Sequence, residues 1–261
     1  MNSPASTLID SHCHLFMEPL SRDIPGVLSR AEEKRVSGIV VPAVDEDSWA
    51  AVALLSETPG VFAALGVHPW FITDDPGLDR LENRLKESHS VAIGEIGLDY
   101  KIDSPGRAIQ MKVFRRQLDL ALEMDLPVIL HCRGAYDDML DLLSEDRYKN
   151  SLRGVIHAYS RGPQLAERFL ELGFYIAFGG VLTRPRAIRA ARTAGKVPIN
   201  RILLETDAPS IGMDGLEPEN VEPAHVYRVA EALAELRGVP LATVAERTAE
   251  NTEKLFGISR D

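Results

Sequence analysis

The chain has 261 residues, 45% hydrophobic and 26% charged, enough to bury one large core. A net charge of −10 excludes the overall positive field of a non-specific nucleic-acid binder, though not a nucleic-acid end held as substrate in a metal-lined pocket. No run approaches the roughly 18 apolar residues of a membrane span, no basic-then-apolar leader is visible, and Cys13 and Cys132 give no disulfide framework, so the reading is a cytoplasmic protein without a membrane partner.

In chain order, short β-branched apolar runs alternate with longer amphipathic stretches. The runs are Thr7–Ile9, Gly38–Pro42, Val61–Leu65, Val91–Ile93, Pro127–Leu130, Gly154–Ile156, Phe174–Phe178 and Arg201–Leu204. Continuous apolar runs suit strands buried on both faces of a parallel sheet. Helices are expected at Asp79–Ser88, Arg107–Met124 (with Ile109, Val113, Leu118, Ala121 and Leu122 as its apolar residues), Tyr136–Leu143, Gln164–Leu172 and Arg186–Ala194. Two more follow, at Pro223–Gly238 and Leu241–Phe256. Eight alternations predict a single (β/α)8 barrel domain over residues 1–261. The alternative, an open doubly wound sheet, usually carries a glycine-rich phosphate loop after its first strand. Here that place holds Ser11-His12-Cys13-His14. Gly179-Gly180 reads as a tight turn or a close backbone approach.

Barrel enzymes place their chemistry at the C-terminal ends of the strands. Those ends carry His12 and His14, then Pro42–Asp45, His68, Glu95, His131, His157, Gly179-Gly180 and Asp207. Four of the eight bear a His and two more bear Glu95 and Asp207, and five of the seven histidines lie there. His12 and His14, two apart on extended backbone, can aim two imidazoles into one space. His68 reads as a pocket residue rather than a ligand, and Asp99 as either a site residue or a solvated one. Asp207 before Ala208-Pro209 also fits a helix N-cap. His89 reads as a solvated loop residue.

Four imidazoles and two carboxylates are too many for one catalytic ion, which usually takes three protein ligands. They suit two divalent cations. His12, His14 and Asp207 would hold one, His131 and His157 the other, and Glu95 would bridge them. A metal pair clamps the attacking and leaving oxygens of an in-line displacement, with Asp207 taking the proton from the attacking water.

The motifs Ile9-Asp10-Ser11-His12-Cys13-His14, Gly66-Val67-His68-Pro69, Gly94-Glu95-Ile96-Gly97-Leu98-Asp99, Pro127–Arg133, Gly154–His157, Leu204–Pro209 and Asn251–Gly257 run nearly the length of the chain. In that order they resemble the TatD-like metal-dependent hydrolases, a branch of the amidohydrolase-type barrels. The resemblance implies phosphodiester hydrolysis, with deoxyribonuclease activity in several members, and the ligand set His12, His14, Glu95, His131, His157 and Asp207. It places His68 against the substrate phosphate, where Arg133 could join it through its planar fork. Tyr159 and Ser160 are further candidates for substrate contact. Related barrels often bridge their metals with a carboxylated lysine on the fourth strand; this chain has Glu95 there. Imidazole-rich sites favour Zn or Mn over Mg, and metal identity stays open among the three. A single phosphate held at two ions needs no long basic groove, which reconciles a DNA or nucleotide substrate with the acidic composition. Trp70, Phe71 and Tyr100 could stack bases. The competing functions are hydrolysis of a small amide, lactone or ester at the same centre, or metal binding without catalysis. A monomer is the favoured state.

Overall fold

The apolar runs become eight parallel strands in the computed structural model, which describes residues 7–259. They are β1 (Leu8–Asp10), β2 (Val36–Pro42), β3 (Val61–Leu65), β4 (Ala92–Asp99), β5 (Val128–Arg133), β6 (Gly154–Ile156), β7 (Tyr175–Phe178) and β8 (Ile202–Leu204). Each pairs in parallel with the next in sequence. The ring closes just beyond the ends of β8 and β1. Ser11 N donates to the Leu204 carbonyl at 2.9 Å, Asp207 N to the His12 carbonyl at 2.8 Å, and His14 N to the Ala208 carbonyl at 2.8 Å. The fully buried Asp10 carboxylate crosses the same seam, accepting from Thr206 N at 2.9 Å and Thr206 Oγ1 at 2.6 Å. The fold is therefore the expected barrel, with first and last strands as neighbours. Residues 1–6 and 260–261 of the expected domain lie outside the described residues.

The helices are α1 (Ile24–Glu33), α2 (Glu46–Leu55), α3 (Leu78–Glu87), α4 (Arg107–Glu123), α5 (Tyr136–Leu143), α6 (Pro163–Glu171), α7 (Ile188–Lys196), α8 (Val226–Arg237) and α9 (Leu241–Phe256). Three expectations need correction. Helices α1 and α2 carry no expected counterpart. The first opens on Ile24-Pro25-Gly26, turn-like residues that a helix tolerates in its first turn, and Asp23 caps it by accepting from Gly26 N at 3.1 Å. The second, Glu46-Asp47-Ser48-Trp49-Ala50-Ala51-Val52-Ala53-Leu54-Leu55, is too uniformly apolar after its first turn to show a stripe. Its cap is Asp45, which accepts from Ser48 N at 2.9 Å, so Asp45 serves the helix and not the site. Finally, Ile109 of α4 is 51% exposed, while Val113, Leu118 and Ala121 are buried.

One strand runs far past its apolar core. β4 continues through Gly94-Glu95-Ile96-Gly97-Leu98-Asp99, with an irregular register against β5 between Ile93 and Ile96. Gly97 sits at φ +147, and a Cβ there would fall 2.0 Å from the His131 carbonyl oxygen, so only glycine lets β4 approach β5 this closely. At Gly180, as expected of a close approach, a Cβ would meet the Gly212 carbonyl oxygen at 2.8 Å.

The barrel interior is a compact cluster from seven strands: Val40, Ala64, Ala92, Ile129, Val155, Tyr175, Ala177 and Leu203. Leu255 and Phe256, from the last turn of α9, pack into the same cluster. Each buried Val, Leu, Ile or Phe side chain among them contributes about 1.5–3 kcal/mol by burial. Asn251 fixes α9 there by donating to the Ile199 and Ile202 carbonyls, both at 2.8 Å. One end of the barrel is thus filled with apolar side chains, and the other carries the polar ring. Among the described residues no helix is long and apolar enough to cross a membrane.

Candidate metal centre

Glu95 is the geometric centre of the polar ring. It is 3% exposed, and its two oxygens face different imidazoles. Oε2 lies 3.2 Å from His12 Nε2 and 3.5 Å from His14 Nε2. Oε1 lies 2.8 Å from His157 Nε2, 3.0 Å from His131 Nδ1 and 3.4 Å from His68 Nε2. Asp207 stands on the Oε2 side, its Oδ1 3.4 Å from His14 Nε2 and 3.7 Å from His12 Nε2. All six residues expected as ligands therefore meet in one space, divided by the carboxylate in the middle. Two of them sit on or beside left-handed backbone: Asp207 at φ +53 and Ala158, directly after His157, at φ +47. Such positions cost roughly 1–3 kcal/mol each and persist where surrounding bonds over-determine them.

The far nitrogen of each ring tells which nitrogen is available to a ligand. His14 Nδ1 donates to the Pro42 carbonyl at 3.0 Å, leaving Nε2 for the site. His131 Nε2 faces Asp99 Oδ2 at 3.3 Å, leaving Nδ1. His157 Nδ1 lies 3.8 Å from Glu205 Oε1. His68 is the opposite case. Its Nδ1 accepts from Trp70 N at 3.1 Å, so the neutral ring carries its proton on Nε2. Spacing alone would group His68 with Glu95 and His131 as ligands. The tautomer argues against this and makes His68 Nε2 a hydrogen-bond donor into the site.

The charges balance internally. Burial disfavours charge on every group here, and it raises Glu95, but the facing imidazoles of His157, His68 and His12 outweigh it and hold that carboxylate well below its usual range. Burial likewise pushes the His14 imidazolium down, yet Asp207 and Glu95 win and hold it up to about 10. For His157 the charge of Glu95 again overcomes burial, and the ring sits at about 9. His12 goes the other way, to about 4, through burial and the neighbouring His157 charge. His14 Nε2 and His12 Nε2 are 3.2 Å apart, so a protonated His14 donates to a neutral His12. Asp207 Oδ1 and His12 Nδ1 are buried without a hydrogen-bond partner. A pocket of imidazole nitrogens and carboxylate oxygens that binds protons this tightly, with a carboxylate oxygen left over, fits divalent cations, which replace such protons.

Asp99 is buried, not solvated. Its carboxylate accepts from Trp70 Nε1 at 2.7 Å and Lys101 N at 2.8 Å and contacts His131 Nε2. Burial raises it, but the bonds from His131, Trp70 and Lys101 N overcome this and hold it below the usual carboxylate range. Metal-ligating histidines commonly donate their second nitrogen to such a carboxylate, and losing that partner costs 10–100-fold in metal affinity or activity. Asp99→Asn is therefore expected to weaken divalent-metal binding by about 10–100-fold in calorimetric titration, while the fold is kept. Glu205, inside the motif Leu204–Pro209, is a site residue to which the sequence assigned no role. It is 1% exposed, burial pushes it up to about 8, and its Oε1 accepts from Ala158 N at 2.5 Å beneath His157.

The N-cap alternative for Asp207 does not hold. Its backbone carbonyl accepts from Ser210 N at 2.7 Å and Ile211 N at 3.1 Å, but the chain continues as a turn, and the carboxylate points into the site. Tyr159 is a core residue whose hydroxyl donates to the Gly162 carbonyl at 2.8 Å, whereas Ser160 lines the cavity. Tyr100 donates to Asp138 at 2.7 Å and does not line the cavity; Trp70 and Phe71 do. His89 is exposed, as expected of a loop residue.

Above the ring opens a cavity of about 830 Å³, lined by His14, His68, Glu95, His131, His157 and Asp207 at its floor. Arg133, two residues beyond His131, lines it as expected, its guanidinium 3.7 Å from Asp99 Oδ2. Cys13 and Cys132 are both free thiols. Burial pushes the Cys132 thiol up to about 12, so it lines the cavity as a neutral group rather than a nucleophile.

Comparison with known proteins gives concordant results. The family model described as TatD related DNase matches residues 9–257. A protein of Escherichia coli strain K12 named an uncharacterized metal-dependent hydrolase, YjjV, is 38% identical over 255 residues, covering 96% of this chain and 98% of its own. Its Bacillus subtilis strain 168 counterpart in name, the uncharacterized metal-dependent hydrolase YabD, is 34% identical, covering 97% and 100%. The crystal structure of the E. coli YjjV protein, a TatD homologue, superposes with a TM-score of 0.90 at 37% identity, covering 97% of this chain and 98% of that one.

Proposed function

The chain belongs to the TatD family of metal-dependent hydrolases, and from that premise we propose that it is a two-metal phosphodiesterase acting on DNA in the cytoplasm. The observation that carries the reading is the division of the site by Glu95: His12, His14 and Asp207 gather at one oxygen, His131 and His157 at the other. Each group supplies the two or three ligands that one catalytic ion uses. Bound there, divalent cations supply Lewis-acid polarisation of a phosphoryl oxygen and a water acidic enough to act as nucleophile at neutral pH.

The protein's own groups do the rest. Asp207 Oδ1, buried and without a hydrogen-bond partner, accepts the proton of the attacking water. His68 is held below its ordinary range by burial, so it is neutral at pH 7. It presents Nε2–H to a phosphoryl oxygen. Arg133 binds a second oxygen through its fork. Asp99 fixes the His131 ring. A cavity of about 830 Å³ takes a strand end or a splayed single strand, and one phosphate held there needs no long basic groove on an acidic protein.

The test is direct. Protein loaded with Mn or Zn is expected to release nucleotides from a single-stranded DNA oligonucleotide and to hydrolyse bis-p-nitrophenyl phosphate, and chelator is expected to abolish both. Metal-replete protein that leaves both untouched but turns over a lactone or an amide would replace this reading with the small-molecule hydrolase.

A further inference from the structure

The cavity has two unlike walls. One is apolar, with Met17, Trp70, Phe71 and Ile211. The other, built from the end of β5 and the segments after β4 and β6, carries Lys101, Arg133 and Arg161. These cations are poorly neutralised. Among the described residues, no carboxylate lies within ion-pair distance (4.0 Å) of Lys101 or Arg161, and Arg161 instead packs over the Tyr136 ring, 5.4 Å from its centre. The carboxylate oxygen facing Arg133, Asp99 Oδ2, lies 3.7 Å away and already accepts from Trp70 Nε1. Several arginines elsewhere are paired closely: Arg30 with Glu222, Arg80 with Glu46 and Arg115 with Glu145, all at 2.9 Å or less. In a protein with 39 acidic and 29 basic residues, two cations without a carboxylate and a third on a shared one, all on one wall of a single cavity, call for an anion from outside. The wall is also shaped in advance. Gly134 at φ +72 lets the Lys101 stem lie across it, since a Cβ there would meet Lys101 Cε at 3.2 Å.

Resting on the phosphodiesterase reading above, we propose that Lys101 and Arg161 form, beside the Arg133 that serves the scissile phosphate, a second anion subsite that takes the neighbouring phosphate in a nucleotide chain. His68 and the carboxylate–imidazole centre hold the phosphate under attack. The base between the two phosphates lies toward Trp70, which is 51% exposed and free to stack. A cavity of about 830 Å³ suits two nucleotides rather than a long duplex tract. The enzyme therefore prefers a diester with a further phosphate one nucleotide away over the same diester without it.

The experiment compares metal-loaded wild type with the K101A/R161A double variant on three substrates: dithymidine monophosphate, and the same dinucleotide carrying a 5′- or a 3′-terminal phosphate. Wild type is expected to cleave one of the phosphorylated forms with kcat/KM about tenfold or more above the bare dinucleotide, the range of a charge-assisted hydrogen bond. In the double variant that ratio is expected to fall to about one. Equal kcat/KM for all three substrates in wild type would overturn the subsite, as would a ratio that survives in the variant. Equilibrium binding of thymidine 3′,5′-bisphosphate against thymidine 5′-monophosphate separates the two claims. If no diester is cleaved, the phosphodiesterase reading fails; tighter bisphosphate binding that the double variant loses still supports the anion subsite, and equal binding of the two nucleotides overturns it.

Discussion

Glu95→Gln is expected to lower kcat on bis-p-nitrophenyl phosphate by at least about 10²–10³-fold, the loss seen on removing one group that stabilises transition-state charge, and to remove bound metal as well. The reason is the number of groups that depend on one carboxylate. Five imidazole nitrogens lie within 3.5 Å of its two oxygens. Glutamine keeps the volume but supplies one oxygen and one NH2. Whichever way the amide turns, one side of the site meets a donor where it needs an acceptor. The negative charge that holds His157 and His14 high is gone too. A variant that kept full metal content and full rate would remove Glu95 from the centre of the account. Metal analysis and kinetics on the same preparation decide it.

Asp207→Asn should cost kcat about 10²–10⁴-fold, the range for a general base, with a smaller effect on KM. Asp207 differs from Glu95 in having an unbonded oxygen: Oδ1 is buried with no hydrogen-bond partner, beside His14 and His12. Burial raises this carboxyl, but those imidazoles and His157 outweigh it and keep it ionised, ready to accept a proton. The asparagine cannot accept one. The Glu95 Oε1 side, with His131 and His157, is untouched, so about half of the metal is expected to remain. A rate within tenfold of wild type would assign proton acceptance to another group. The pH–rate profile adds a second reading: the acidic limb that reports protonation of this carboxylate should disappear in the variant.

Much of this was legible in the sequence because burial writes itself into composition. Strands covered on both faces must be apolar, so eight runs marked eight strands, and the His or acid that followed six of them marked the mouth of the barrel. The same logic failed where polar residues lie inside a strand. The apolar run of β4 ended at Ile93, but the strand continues through Gly94, Glu95, Gly97 and Asp99. They are strand residues because the barrel interior at that height is a ligand cavity and not a hydrophobic core. The roles of Asp10 and Glu205 were hidden for another reason. Their partners, Thr206 and Ala158, are 196 and 47 residues away, and nothing local reports such pairing. The tautomer of His68 likewise depends on how the backbone turns at Trp70, not on residue type. The two missed helices show the limit of periodicity: α2 has no contrasting polar face after its first turn, and α1 begins with residues that usually end helices.

The central claim is that one carboxylate divides this site between two cations. An anomalous-difference map from crystals of the wild-type protein grown with Mn or Zn tests it most directly. Two peaks per chain are expected, one beside Glu95 Oε2 with His12, His14 and Asp207, the other beside Oε1 with His131 and His157. A single peak, or a pair that leaves Glu95 uncoordinated, would contradict it.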